Sequence, residues 1–551
     1  MSSLEAGADD FAFEEAPEHK PLTPATPREL KRLIKDWRSG RATRNVLQAM
    51  GDAYVAVFGA AMIGAMVVNV ILKAQRTIAQ CNSATCLSAR AILPWAAFAA
   101  TVGVALAASR LFGPVLASAA EGFWLLDAPI SRAKLLRSRL VGAVLAALLG
   151  GAVVGALISA LTGSGLIEVL VWAGATGLSA AASVAFAAAQ QGIERHRLTH
   201  LATYVFGLLA LGALFSVVGV AAGWFSLGIL DNVGIELGLI MIAGSLLVLV
   251  LSAVLAAIRL GQIRRTRLVG GGALVSGISG AFFALDIGLA RDIVVERRAM
   301  ERGHVRPKRG KGVGLEAIIW REWQRLWRFP QPLLVFAATI VVPYAADALG
   351  MSTLTPVFAA LALFGATIPL LGGLRVLTRT GGLARCLPFS LARLKLASIA
   401  VPGILAAVWA VATTPAYLGF GDGAVQRPVP EASLMAVATA AAGLLAAVRW
   451  TQAKGVDFGA PMVASQAGAF PPGLVTNLFR GFDVCILTTA PMLLGFSPWW
   501  SLGIAAIAAA ILLNSMDAET LRARQAEQQK QLATQKKERA DAAAAAKQRK
   551  R

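Results

Sequence analysis

Apolar stretches long enough to cross a bilayer recur along most of this chain, and no other feature limits its possible folds so sharply. A hydrocarbon core of about 30 Å needs about 20 apolar residues per helix. Reading for that length predicts twelve spans, at roughly 52–72, 91–109, 140–162, 166–190, 201–223, 237–258, 331–349, 355–374, 396–417, 432–448, 481–496 and 498–516. Asp483 and Pro491 interrupt the eleventh, so the last two form either two spans or a broken, re-entrant pair. With 56% hydrophobic and 15% charged residues and a mean hydropathy of +0.64, a large soluble enzyme is excluded.

The charge is then a matter of orientation. The net +21 would suit a polyanion-binding surface if it were clustered on a folded domain. Instead, an even number of spans with a cytosolic N-terminus puts 48 of the 52 Lys and Arg on the cytosolic side, leaving Lys73, Arg76, Arg90 and Arg427 outside. Cationic loops resist translocation, so both termini are expected in the cytosol. The first twenty residues are acidic, the reverse of a signal peptide's basic start. Excess Arg over Lys and abundant Ala, Gly and Val point to a GC-rich bacterial genome, and hence to a bacterial cytoplasmic membrane. Cys81 and Cys86 fall in the first outside loop, either as a small disulfide or as two thiols.

The expected fold is all-α and polytopic, about 12 transmembrane helices in a 6+6 pseudo-repeat with cytosolic amphipathic interface helices. Its parts are a cytosolic N-terminal tail with an amphipathic helix (1–51), a first six-span half (52–260), a basic cytosolic linker with a second amphipathic helix (261–330), a second six-span half (331–517) and a basic tail (518–551). In the first helix Leu30, Leu33, Ile34 and Trp37 form an apolar stripe opposed by Lys31, Arg32, Lys35 and Arg38. In the second, Leu315, Ile318, Ile319, Trp323, Leu326 and Trp327 oppose Arg321, Glu322, Arg325 and Arg328. Both patterns predict helices lying in the interface plane, with Trp anchors and snorkelling cations. Between the second and third spans of each half lies a further match, Pro129-Ile130-Ser131-Arg132 in the first and Pro388-Phe389-Ser390 in the second, each followed by cations. Proline then serine is a turn and cap before a helix.

An interface helix, two spans, and a cytosolic P-[IVF]-S-R-x-x-L-L turn into a third span resemble the ABC-2 class of ATP-binding-cassette exporter permeases. APISRAKLL at 128–136 carries the resemblance best, whereas CLPFSLARL lacks Arg after Ser390. The resemblance implies a path between two six-helix halves, both in this one chain. It also implies that Glu29–Arg38, Leu125–Arg137, Leu315–Arg328 and Leu383–Lys395 dock on separate ATPase subunits, two of them, which bind ATP and Mg. The residues so implicated are Trp37, Arg38, Pro129, Ser131, Arg132, Arg321, Trp323, Arg325, Trp327, Pro388 and Ser390.

Chemistry of its own is not expected in the chain. The nearest approach to a nucleotide-binding loop, Gly303–Gly312, has the wrong spacing and no Ser or Thr after its Lys. His196 and His200 stand at i, i+4 with no third metal ligand evident, and the glycines at 270–272 lack the strand–turn–helix setting of a nucleotide loop. Gly151 and Gly155 form a G-x-x-x-G packing motif. Glu168, Asp347 and Asp483 are the ionisable residues near span ends and the candidates for a transport path, with Arg480 the expected partner of Asp483. The expectation is therefore a permease without cofactor, catalytic residue or metal, in contact with membrane lipids and not with nucleic acid, exporting an amphipathic or lipid-like molecule or a peptide. The alternatives are a secondary carrier of the major facilitator type, whose loop motif G-x-x-x-D-R-x-G-R/K is missing, and a membrane scaffold.

Overall fold

The computed structural model describes residues 84–126, 131–193, 196–221, 229–283, 286–304, 309–348, 351–419, 426–453, 463–465, 468–470 and 479–514, with isolated positions elsewhere. The described chain is helical apart from a two-strand hairpin, β1 (Val463–Ser465) with β2 (Gly468–Phe470). Eight helices among the described residues have the length and apolarity to cross a membrane, and this is a helical membrane protein.

In the first half these are α1 (Ala84–Phe112), α3 (Arg132–Leu161), α4 (Leu166–Gly192), α5 (His196–Ala221) and α6 (Ile229–Arg259), with the short α2 (Ala119–Trp124) between α1 and α3. The helix α4 is the centre of this half. In its most apolar stretch 67% of residues are buried, against 11% for α3, α5 and α6, whose leucines and valines face outward as a lipid-exposed surface does. Small residues let α3 close on α4. A Cβ on Gly155 would stand 2.5 Å from the Trp172 carbonyl oxygen, and one on Gly151 would stand 2.9 Å from that of Thr176. The G-x-x-x-G reading is therefore correct, since hydrocarbon offers helices no hydrophobic incentive to associate and close backbone approach takes its place.

The linker contributes α7 (Arg265–Phe283) and α8 (Ile287–Arg302), then the interface helix α9 (Leu315–Arg328). The glycines of α7 serve packing. A Cβ on Gly272 would lie 1.9 Å from the Ala117 carbonyl oxygen, and one on Gly271 would lie 2.0 Å from that of Phe112.

The second half holds α10 (Gln331–Ala338), α11 (Val341–Ala348), α12 (Thr355–Thr367), α13 (Gly372–Arg379), α14 (Gly381–Arg385), α15 (Leu391–Leu418), α16 (Val429–Thr451), α17 (Phe482–Leu493) and α18 (Pro498–Asn514). Here α16 is the central helix, 61% buried in its apolar stretch and packed against α12, α15, α17 and α18. The halves meet along an apolar contact of Ile92 and Val217 and Val220 from α1 and α5 with Val341 of α11.

Two of the expected spans are interrupted. The seventh is not one helix. Pro343 cannot donate to the carbonyl of Thr339 four residues back, the chain breaks between α10 and α11, and that carbonyl accepts from Val342 N–H at 3.1 Å while Thr339 Oγ1 accepts from Trp409 Nε1 at 3.0 Å. With α9 this segment makes a bent pair at 85°. The eighth runs from α12 through a 3₁₀ turn (Ile368–Leu371) containing Pro369 into α13. The eleventh and twelfth have 12 and 17 residues, about 18 and 25 Å, and turn back on each other at Gly495 (φ +78°). Both are shorter than the eight helices long enough to cross a membrane. The first span, 52–72, and the N-terminal interface helix with Trp37 and Arg38 lie mostly or wholly outside the described residues.

Candidate functional site

The end of the bundle that carries the linker brings together most of the residues singled out above. Ser131 and Ser390, each in extended conformation, are the N-caps of α3 and α15. Neither hydroxyl caps. The Ser131 carbonyl accepts from Lys134 and Leu135 N–H, and that of Ser390 from Leu394 N–H. Pro129 lies outside the described residues; Pro388 is exposed. Arg132, Lys134 and Arg137 are not a separate docking helix but the first turns of the 30-residue α3, with Arg132 Nε donating back to the Leu126 carbonyl at 3.1 Å. In the second half α14 is five residues long, and α15 begins at Leu391. Lys395 points inward, buried, donating to the Leu512 carbonyl at 3.2 Å.

The interface helix α9 packs on α15, and Phe389 of the Pro-Phe-Ser turn lies against Gly314 at its start, where a positive φ (+66°) suits glycine. The helix does not bury its whole apolar stripe. Ile319 and Leu326 face the core, while Trp323 and Trp327, ring centroids 6.1 Å apart, project outward. Arg321 is exposed. Glu322, expected on the polar face, is instead 4% exposed and pairs with Arg325 at 2.8 Å.

What receives this pair is the break in the eighth span. A 3₁₀ turn leaves carbonyls without α-helical partners, and here linker arginines take them. Arg291 of α8 donates to the Ile368 carbonyl at 3.3 Å, and Arg325 of α9 donates to that of Leu370. Gly372 and Gly373 make the approach possible, since a Cβ on Gly373 would meet Glu322 Oε1 at 2.0 Å and one on Gly372 would meet Arg325 Nη1 at 2.6 Å. One turn on, Arg375 forks onto Asp292 of α8, Nε to Oδ1 and Nη2 to Oδ2 both at 2.6 Å, donates to the Gly288 carbonyl at 2.8 Å and lies over the Trp450 ring at 5.3 Å. Burial, and then the neighbouring Arg375 charge, pull Arg291 down to about 10 against the opposing effect of Asp292. The α12–α13 span is thus held by the linker and the interface helix together, and nothing in the local sequence around residues 368–375 announces partners 45 to 87 positions away.

The three carboxylates near span ends do not converge. Glu168 sits in the first turn of α4, and Asp347 at the end of α11 within reach of the Arg427 charge. Asp483 is bound not by Arg480 but by Arg449 of α16, Nη2 to Oδ2 at 2.6 Å, and accepts from Gly481 and Val484 N–H at 2.8 Å. Among the described residues no group of three His, Cys, Asp or Glu is placed to hold a metal, and His200 Nε2 accepts from Arg110 at 3.1 Å. Cys81 lies outside the described residues; Cys86 falls in α1 with its side chain not described.

Residues 86–461 match a family of unknown function, DUF6297. The chain belongs to this DUF6297 family. No curated protein and no solved structure matches the chain. The DUF6297 region opens in α1 and closes beyond α16, so it contains both serine-capped third helices, the linker and the Arg375–Asp292 fork, and leaves the α17–α18 pair outside.

Proposed function

We propose that this protein is the membrane subunit of an ABC-2 class exporter, carrying both halves of the pore in one chain and driven by two separate ATPase subunits that bind ATP and Mg. It would lie in a bacterial cytoplasmic membrane with both termini and the linker in the cytosol, and export an amphipathic or lipid-like molecule or a peptide. The observation that carries the reading is the grip of α9 on the α12–α13 span through Glu322, Arg325 and Leu370. A partner that pushes on α9 from the cytosol moves a membrane helix directly, and such mechanical continuity is what an externally powered permease needs. The Ser131 and Ser390 caps give each half a like turn at that surface.

Co-purification with the ATPase encoded beside the gene tests it. Arg321 and Arg393 are exposed, on α9 and in the first turn of α15. Reversing both (Arg321→Glu with Arg393→Glu) is expected to lower association and coupled ATP hydrolysis at least tenfold while the chain elutes as a single species. Undiminished association and hydrolysis would sink the coupling assignment.

A further inference from the structure

The linker does not stop where α9 begins. Residues 309–313 fold back and run along the outer side of that helix. Gln324 Nε2, late in α9, donates to the Arg309 carbonyl at 3.2 Å, and Lys311 Nζ stands over the Trp320 ring, 5.5 Å from its centroid. Two glycines with positive φ make the reversal, Gly312 (+85°) and Gly314 (+66°). The first also lies close on the helix, since a Cβ there would stand 3.0 Å from Glu316 Cβ. The row of α9 that the segment covers is thus Trp320 and Gln324. Residues four apart share a helix face, so Trp323 and Trp327 form an exposed row on one side of it, and the exposed Arg321 flanks the other.

The helix meets the α10–α11 segment at 85°. That segment enters the bundle, packed on α12 and α15, so α9 lies across the bundle's linker end, along the plane of the bilayer rather than through it. Its outward surface carries two neighbouring indoles and, beside them, the exposed cations Arg309 and Lys311. From Gly303 to Arg328 the carboxylates are Glu316 and the buried Glu322, and the sequence adds Arg306 and Lys308, so the stretch is strongly basic. Indoles and cations side by side on an in-plane helix fit an anionic bilayer at two depths. The rings suit the boundary between headgroups and acyl chains, and the cations suit the phosphates beyond it. An acidic protein surface would answer the cations but not two open indoles next to the entry of a membrane segment.

We propose that α9 and the folded-back segment 309–313 form one docking surface for anionic phospholipid, with Trp323 and Trp327 entering the headgroup–acyl boundary and Arg309 and Lys311 meeting headgroup phosphates. Lipid held there pins the segment to α9. Because α9 in turn grips the α12–α13 span through Arg325 and the Leu370 carbonyl, the charge of the bilayer bears on the position of that span. The proposal does not rest on the transport reading, and it concerns the flank of α9 opposite Arg321.

The full-length protein is placed in nanodiscs of phosphatidylcholine alone or with phosphatidylglycerol, and backbone hydrogen exchange across 307–328 is followed by mass spectrometry. In wild type, phosphatidylglycerol is expected to slow exchange at residues 309–314 by about tenfold or more, since two cations sit at the charged surface. Added salt should weaken that slowing by screening. Arg309→Gln with Lys311→Gln should lose it, and Arg309→Lys with Lys311→Arg should keep it. Exchange in the central helix α16 reports on folding and should match in all three proteins. Should the Gln variant disturb α16, the wild type at two salt concentrations and the conservative variant still decide. No slowing by phosphatidylglycerol in wild type would overturn the proposal, as would equal slowing in wild type and a folded Gln variant. Slowing that ignores phosphatidylglycerol and comes only when an ATPase partner is added would give the surface to a protein and defeat the lipid assignment.

Discussion

Arg375 shows how one side chain joins segments that the sequence keeps apart. Its fork on Asp292 is nearly closed off from solvent on the arginine side, 6% exposed, and half-buried on the carboxylate side. Removing one member of a buried pair strands the other, at a cost of about 3–5 kcal/mol. Arg375→Ala should therefore lower unfolding stability by about 3 kcal/mol, read by denaturant melts in detergent, and Arg375→Lys should recover only part, because an ammonium cannot occupy both carboxylate oxygens in the fork geometry. Glu121 titrates in a setting of the other kind. Burial raises its carboxyl, but the backbone and side chain of Ser118 and the Arg139 guanidinium outweigh that and hold it below its usual value near 4.5. A carboxyl lowered by folding adds stability that is full above its unfolded value and is lost as pH falls through the folded one. Glu121→Gln should thus be less stable than wild type at pH 7, and the difference should close below about pH 4. The capping box of Ser118 and Glu121 lies in a local S-x-x-E pattern that sequence can show. The partner of Asp483 could not be read that way, since Arg480 is near in sequence and Arg449 is near only in space.

At the scale of helices, the close crossing of α3 and α4 depends on which glycine is asked to grow. Gly155→Ala would drive a methyl into the Trp172 backbone, whereas a Cβ at Gly150, on the same helix, meets nothing within 4 Å. The first should cost about 1–3 kcal/mol and the second should be neutral or stabilising, since alanine is the better helix former. Melting of the two variants side by side checks this. Spacing alone identified Gly151 and Gly155, because a small-x-x-x-small pattern puts both on one face. Spacing also located α9 and the start of α15 at Ser390, but it misjudged Glu322. A helical wheel assigns that residue to the polar face, while the core it meets is the broken 3₁₀ turn with carbonyls to be satisfied, and there a charge pair is the better filling.

For the molecule as a whole, the α17–α18 pair settles how the second half closes. Asp483 is tied to Arg449 at the linker end of α16, and from there α17 rises only about 18 Å before Gly495 turns it back. A cysteine at Phe496, in a background with Cys81→Ser, Cys86→Ser and Cys386→Ser, should resist a membrane-impermeant maleimide in sealed vesicles of either orientation and react once the membrane is dissolved. Labelling in intact vesicles from the face opposite the linker would instead make α17 a full span. The sequence by itself determined that the chain is a helical membrane protein, where most of its apolar helices lie, and that like turns precede α3 and α15. These follow from run length, periodicity and local caps, which act over a few residues. Which helix is central, how the linker seizes the eighth span and where Asp483 finds its cation were decided only by the tertiary structure. Those outcomes depend on backbone carbonyls freed at proline breaks and on charges brought together from distant positions, and the energy of such pairs is set by the burial that the assembled fold creates.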